Sequence, residues 1–272
     1  MNFNKIIIAI CLGIALYSMT SCTLSKDELK RIVRKEAGKD DFRDSEKWGK
    51  VITKTLDLSE FAHINLAGNA DINFHQGDAL SVEAYGNEKA IEGNDIYVED
   101  GTLVVKMKDE ADGRQPSIKL IITAPTIETI SVSGAGDIEM KDTIEFAGDF
   151  DINVAGAGDV EIDRLKCQNF GIHISGAGDF DAQKIKCKGK AEVLISGAGD
   201  MKADLKANDI SVTISGAGDA DLDVKCQNLT VAAGGSGEIE LKGECAHLTK
   251  QSSGMASIDS RKLAIHENIV IQ

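Results

Sequence analysis

Apolar and polar residues alternate along most of the chain from Val51 onward, and a glycine-rich phrase interrupts this alternation at regular intervals. The phrase reads VSGAGD from residue 132, VAGAGD from 154, and ISGAGD from 174, 195 and 214. Its closing acids are separated by 22, 20, 21 and 19 residues, and Glu238 in the weaker copy GGSGE follows 19 residues later. Repetition at a nearly fixed period predicts a repeat architecture.

Each repeat predicts two short strands around one turn, because every second residue is apolar on both sides of the glycine phrase. We therefore predict an all-β fold, a single-stranded parallel β-solenoid or β-helix with coils of about 20 residues. At about 4.8 Å per coil, the stack would form a rod of roughly 30 to 40 Å. A β-propeller is the alternative, but the half-period repeats equally well and only 4% of the residues are aromatic.

The chain divides into four segments. Residues 1–21 predict a signal peptide, 22–50 a charged linker with a short helix over 26–38, and 51–130 an irregular β lead-in with an Asp100-Gly101 turn. Residues 131–272 hold the regular repeats, with the degenerate copies GGSGE and SGMAS as a C-terminal cap. The segment AGNAD at 67–71 resembles an early, outlying copy of the turn phrase.

The turn glycines have a structural explanation, since glycine permits positive φ and lets the backbones of successive coils approach closely. The acid that closes each phrase is expected to accept hydrogen bonds from N–H groups of its turn. The turn glycines are Gly134, Gly136, Gly156, Gly158, Gly176, Gly178, Gly197, Gly199, Gly216 and Gly218.

The end of the signal segment, MTSC at 19–22, resembles the lipobox of bacterial lipoproteins. The resemblance implies that the Cys22 thiol is lipidated and anchors the chain to a membrane, although a leucine is more usual where Met19 stands. The following SKDE at 25–28 resembles the acidic tag of surface-exposed Bacteroidota lipoproteins, and a solvated linker is the alternative interpretation.

The net charge of −14 disfavours nucleic acid as a partner, because an acidic surface repels phosphate. Two acids per repeat are spaced i and i+2, so they should stack into an outward carboxylate stripe. Turn hydrogen bonds, solvent screening or bound calcium could each offset the repulsion, and the pattern favours a solvated ladder over calcium sites. No other cofactor is expected. The stripe comprises Asp137, Glu139, Asp159, Glu161, Asp179, Asp181, Asp200, Asp219 and Asp221.

Four cysteines lie seven or eight residues after a turn acid and should form one ladder: Cys167, Cys187, Cys226 and Cys245. Ladder neighbours would lie within disulfide range, so Cys167 could pair with Cys187, and Cys226 with Cys245. A column of buried free thiols is the alternative, and it is slightly favoured because stacked side chains tend to point alike.

An enzyme is not expected. The five histidines are scattered, and no nucleophile elbow, dinucleotide-binding or phosphate-binding motif occurs. A solenoid polysaccharide lyase would need acids beside a focal lysine or arginine, and the sequence does not reveal such a focus.

Three stretches resemble the auto-transporter adhesin head family with its GIN domain: GNADINF at 68–74, IITAPTIETISVSGAGDIE at 121–139, and the Gly-Asp copies that follow. The resemblance extends over residues 51–272 and implies a β-solenoid-like head on a Bacteroidota cell-envelope protein. We expect a non-enzymatic, surface-exposed outer-membrane lipoprotein that binds a surface glycan or protein. The alternatives are a calcium-assisted carbohydrate-active enzyme and a structural or sensor component of the envelope.

Overall fold

The repeats form a stacked β-solenoid. A computed structural model describes residues 44–109 and 116–271, and it is nearly all-β, with 64% strand, 2% helix and about 7 turns of parallel coils. The predicted fold class is therefore confirmed. The predicted signal peptide, Cys22 and the helix over 26–38 lie outside the described residues.

Strands of the regular array pair in parallel with the equivalent strands of the neighbouring coils, so that β10 contacts β8 and β12, and β11 contacts β9 and β13. The array strands are β8 (Thr129–Val132), β9 (Ile138–Glu145), β10 (Phe150–Val154), β11 (Val160–Cys167), β12 (Phe170–Ile174), β13 (Phe180–Cys187), β14 (Lys190–Ile195), β15 (Met201–Lys206), β16 (Asp209–Ile214), β17 (Ala220–Ala233), β18 (Glu238–Ser252) and β19 (Ser257–Ile271).

A single coil shows how the sequence produces this fold. In β12 and β13, buried and outward residues alternate, except that Gln183 and Lys184 are consecutive outward residues. The strand must bend where the alternation slips. Coils of different length are accommodated at this bend, because the β9–β11 and β13–β15 registers shift there.

The core consists of in-register columns of side chains from successive coils. Ile174, Ile195 and Ile214 form one column and are at most 1% exposed. Phenylalanines fill part of the core of the first coils of the array, where the rings of Phe150 and Phe170 stack with centroids 6.5 Å apart. Like residues stacking on like residues bury apolar area in every coil, which supplies the main driving force for folding.

The lead-in builds the other end of the solenoid with a different strand order. The coil of β2 and β3 lies between the β6–β7 coil and the β8–β9 coil, and antiparallel β1, β4 and β5 pair at the outer end. The lead-in elements are β1 (Val51–Leu56), β2 (His63–Leu66), β3 (Asp71–Gln76), β4 (Ser81–Asn87), α1 (Glu88–Glu92), β5 (Asn94–Glu99), β6 (Thr102–Met107) and β7 (Lys119–Ala124).

The Asp100-Gly101 turn lies where the sequence predicts it, between antiparallel β5 and β6. Asp100 has φ of 48° and Gly101 has φ of 72°, which are the left-handed values that a two-residue hairpin turn requires. No helix within residues 44–109 and 116–271 has the length and apolar character needed to cross a membrane.

Candidate functional site

The turn acids form a hydrogen-bonded ladder between coils. The Oδ1 atom of Asp159 accepts the backbone N–H of Asp179 at 2.8 Å, and Oδ1 of Asp179 accepts that of Asp200 at 2.8 Å. The same bond continues from Asp200 to Asp219 and from Asp219 to Glu238. Each acid thus caps the turn of the next coil instead of its own, which corrects the expectation from sequence.

The ladder also reaches the outlying copy at 67–71. Oδ1 of Asp71 accepts the backbone N–H of Asp137 at 3.2 Å, and Oδ1 of Asp137 accepts that of Asp159 at 2.9 Å. AGNAD is therefore a turn of the same ladder, although 66 residues separate Asp71 from Asp137.

The turn glycines are required for close approach and not for positive φ. None of the ten predicted turn glycines adopts positive φ, so that part of the expectation is wrong. A Cβ at Gly176 would lie 2.0 Å from the carbonyl oxygen of Gly156, and one at Gly197 would lie 2.1 Å from that of Gly176. Each turn rests directly on the backbone of the turn before it.

The second acids of the repeats stack in register, with Glu161 between Glu139 and Asp181, and Lys202 takes the place of the acid between Asp181 and Asp221. Lysines from nearby outward positions approach this column: Nζ of Lys141 lies 3.1 Å from Glu139 and 3.8 Å from Glu161. Asp221 likewise pairs with Lys242 at 3.0 Å, and Glu240 pairs with Lys262. The pairing with Lys242 and Lys262 raises the pKa values of both lysines.

These contacts bear on the calcium hypothesis. Hydrogen bonds occupy one oxygen of each turn aspartate, and lysines contact several acids of the second column. Among the residues that the structure describes, no group of three or more His, Cys, Asp or Glu side chains is arranged to hold a metal ion. The binding of calcium to the stripe therefore stays a prediction to be tested.

The four cysteines form the predicted column, as free and buried thiols. Cys167 pairs in register with Cys187, with Sγ atoms 3.6 Å apart, and Cys226 pairs with Cys245. The hydrogen bond with Cys167, followed by burial, raises the pKa of Cys187. Burial raises the pKa of Cys226 to about 12 and also raises that of Cys245. Cys187, Cys226 and Cys245 are therefore neutral small hydrophobes at physiological pH.

A column of lysines runs beside the cysteines, and sequence reasoning missed it. Lys166, Lys186, Lys206 and Lys225 stack in register on four successive coils and are all exposed. The signal was present in the triplets LKC, IKC, LKA and VKC, which place a lysine directly before each cysteine and before Ala207. We had expected no focal concentration of lysine.

The lysine column borders a groove whose floor is the cysteine column. Two adjoining hollows of about 380 and 460 Å³ share Cys187 and Lys188, and together they extend along the coils from Glu145 to Glu244. Phe146, Ala207 and Ala246 also line the floor, so its surface is apolar and small. We call this the lysine groove.

Acidic residues close both ends of the lysine column. Lys166 donates to Glu145 at one end, and Lys225 donates to Glu244 at the other. The bond from Lys225 lowers the pKa of the exposed Glu244 carboxyl. Within the described residues, no side-chain hydrogen bond or ion pair is formed by the two central lysines, Lys186 and Lys206.

A second groove, of about 660 Å³, lies among the loops of the lead-in. Phe61, Leu80 and Pro125 give it an apolar side, while Glu60 and Asp78 lie at its margin. Its charge is thus opposite to that of the lysine groove, and it would repel anions.

The turn and column pattern agrees with a known family. The family model described as "Putative auto-transporter adhesin, head GIN domain" matches residues 60–220 and 183–271. The match covers more than half of the chain, and the chain belongs to this family. No match was found among curated proteins.

Solved structures share the fold. A crystal structure titled "putative adhesin" from Bacteroides fragilis aligns with a TM-score of 0.63 and 23% identity over 82% of this chain and 96% of that chain. Another "putative adhesin", from Parabacteroides distasonis, gives a TM-score of 0.61 and 18% identity over 82% and 95%. A "putative lipid binding protein" from the same species gives 0.57 and 19% over 82% and 97%.

Proposed function

We propose that this protein is a non-enzymatic binding head of the bacterial cell envelope, held at the outer membrane by lipid on Cys22 and facing outward. The observation that carries the proposal is the match of residues 60–220 and 183–271 to the head domain of an adhesin family. Neighbours titled as adhesins agree with an adhesin-like role. A rigid solenoid suits this role, because stacked coils present columns of identical side chains along an extended surface.

Cys22 and the SKDE segment support the location. Two or more acyl chains on one cysteine give stable membrane attachment, because each buried methylene contributes about 0.8 kcal/mol. The charged segment after Cys22 would hold the solenoid away from the lipid. The partner would be a glycan or protein on a bacterial or host surface.

Surface display is tested by protease treatment of intact cells, followed by immunodetection of the chain. We expect degradation of the wild-type chain while a periplasmic marker survives. The Cys22→Ser variant should leave the membrane fraction, and it serves as the control for anchoring. Full protection of the wild-type chain in intact cells would remove the adhesin proposal and favour a periplasmic structural or sensor role.

One observation favours a second candidate, a carbohydrate-active enzyme. The lysine groove brings Lys206, Lys225, Glu244 and His266 together on one face, and such a combination of bases and acids was the feature sought for a lyase. Incubation of the protein with an acidic polysaccharide, with and without calcium, tests this candidate. Appearance of unsaturated or shortened products would contradict the non-enzymatic proposal.

A further inference from the structure

Two stacked lysines without an acidic partner among the described residues, Lys186 and Lys206, lie at the centre of the lysine groove. Neighbouring lysines of the column lie on strands about 4.8 Å apart, and like charges directly opposite each other destabilise a sheet. Several other lysines of the solenoid approach carboxylates, as Lys184 does with Asp204 at 2.9 Å and Lys242 does with Asp221 at 3.0 Å. Lys186 and Lys206 form no such pair in a chain with a net charge of −14.

The floor of the groove allows a ligand to lie against these lysines. Cys187 and Cys226 are each 9% exposed and Ala207 is 8% exposed, so their side chains reach the surface without filling the groove. The strip of floor formed by these side chains is therefore apolar and uncharged, while Lys188, Asn208 and Gln227 also line the groove. Such a floor can pack against the C–H faces of a sugar ring while the lysines bind its acidic groups.

We infer that the lysine groove binds a linear acidic glycan of the polyuronate class, with its carboxylates contacting lysines of the column Lys166, Lys186, Lys206 and Lys225. The inference rests on the proposed function and names the ligand class of the binding head. The column from Lys166 to Lys225 covers three coil steps, or about 14 Å, so the site accommodates a short run of sugars lying along the solenoid axis.

The floor of the groove favours an acidic glycan over other polyanions. A uronate chain carries one carboxylate on every sugar for the lysines to bind, and the C–H faces of its rings can pack on the small apolar side chains of the floor. Phe146 is the one Phe, Trp or Tyr residue among those lining the groove, so the groove offers no row of aromatic rings on which the bases of a nucleic acid could stack.

The acids at the two ends of the lysine column limit the length of the site, and their substitution provides a test of it. Glu145 and Glu244 compete with ligand for Lys166 and Lys225. Neutralising both acids in the Glu145→Gln/Glu244→Gln variant should therefore raise affinity for the glycan. If the protein surface attracted polyanions only through its overall charge, affinity for the glycan would rise less in this variant. Neutralising any other two acids would then have the same effect.

The experiment measures fluorescence anisotropy of labelled oligogalacturonate with the full-length chain in zwitterionic detergent, over a range of salt concentrations. We expect binding that weakens as salt rises, because the contacts are ionic. The Lys186→Gln/Lys206→Gln variant should bind about 2- to 30-fold more weakly, since two exposed charge contacts are lost. The matched variant Lys54→Gln/Lys202→Gln has the same net charge but changes lysines outside the groove, and it should bind like wild type.

Each remaining outcome counts for or against the inference. Equal weakening by the two double variants, absence of oligogalacturonate binding at low salt, or binding only of polyglutamate or single-stranded DNA would each overturn it. Melting curves of every variant establish that the fold is retained. If the chain binds the glycan but is protected from proteases on intact cells, the groove inference is supported and the proposal of surface display is contradicted. If the chain is displayed on the surface but does not bind the glycan, surface display is supported and the groove inference is contradicted.

Discussion

The regular array and the lead-in bury similar apolar residues but reach the same stack by different routes. In the array each coil follows its predecessor in sequence and in space, and the Asp ladder and glycine contacts recur from the turn at 132–137 to the turn at 234–238. In the lead-in the β2–β3 coil is inserted between two later coils, and antiparallel β1, β4 and β5 end the stack. Local repetition therefore suffices for elongation, whereas this end of the solenoid is closed by long-range pairing that breaks the repeat.

The largest expected effect concerns close backbone contact in the array. Gly197→Ala places a Cβ 2.1 Å from the carbonyl oxygen of Gly176, and neither backbone can move without disturbing the stack. We expect a loss of about 3 kcal/mol or more in the free energy of unfolding, measured by urea titration. Gly148→Ala is the matched substitution, because nothing lies within 4 Å of its Cβ. A tolerated Gly197→Ala would show that coil separation is adjustable.

The cysteine column is a feature of the array, and its thiols should be protected by burial and, at Cys187 and Cys226, also by raised pKa values. We expect Cys187 and Cys226 to react with a thiol reagent orders of magnitude more slowly in the native protein than in denaturant. Four ladder thiols that stay unreactive after denaturation without reductant would instead indicate the Cys167–Cys187 and Cys226–Cys245 disulfides.

The same thiols predict a pH dependence. The folded-state pKa of Cys226 is raised from 9.0 to about 12, so the folded state holds the proton more tightly. The associated stability is fully present below pH 9.0 and is lost progressively as the pH rises toward 12. Cys226→Ala should lose less stability than wild type over this range in denaturant titrations, because it has no thiol to ionise there. An identical alkaline loss in both proteins would contradict the assignment.

The Asp ladder should contribute a moderate amount per coil. Asp179→Ala removes the acceptor for the N–H of Asp200, and we expect a loss of about 1 kcal/mol in the free energy of unfolding. Asp179→Asn keeps an oxygen that can accept this bond and should lose less. Asp78→Ala in the lead-in changes an exposed acid outside the ladder, and it should have almost no effect. Equal losses for all three variants would rule out a specific role for the ladder bond.

Calcium is expected to have the smallest effect. The turn aspartates already accept backbone N–H bonds, and Lys141 and Lys242 approach acids of the second column. Melting temperature at millimolar calcium should therefore match that in sodium chloride of equal ionic strength. A calcium-specific rise, lost in the Asp159→Asn/Asp179→Asn variant, would establish metal sites in the array.

The sequence predicted the solenoid well where its signals were local. The SGAGD turns, the buried Ile195 and the cysteine column follow from period and alternation, and the structure places them accordingly. The partner of each turn acid was predicted wrongly, because the sequence does not show whether an N–H of the same coil or of the next lies closer. The lysine groove was not predicted, because a lysine at an outward strand position, such as those before Cys167 and Cys187, is also typical of an ordinary solvated surface. Only the stacking of the coils brings these lysines together.

By itself the sequence determined the period, the inward and outward faces, and the composition of each column, since these depend on spacing along one chain. Only the tertiary structure decided that β2–β3 stacks against β8–β9, and that glutamates close the ends of the lysine column. The physical reason is that both features depend on contacts between residues far apart in sequence. Which contact forms depends on how the whole stack buries its apolar surface, and no single repeat encodes that choice.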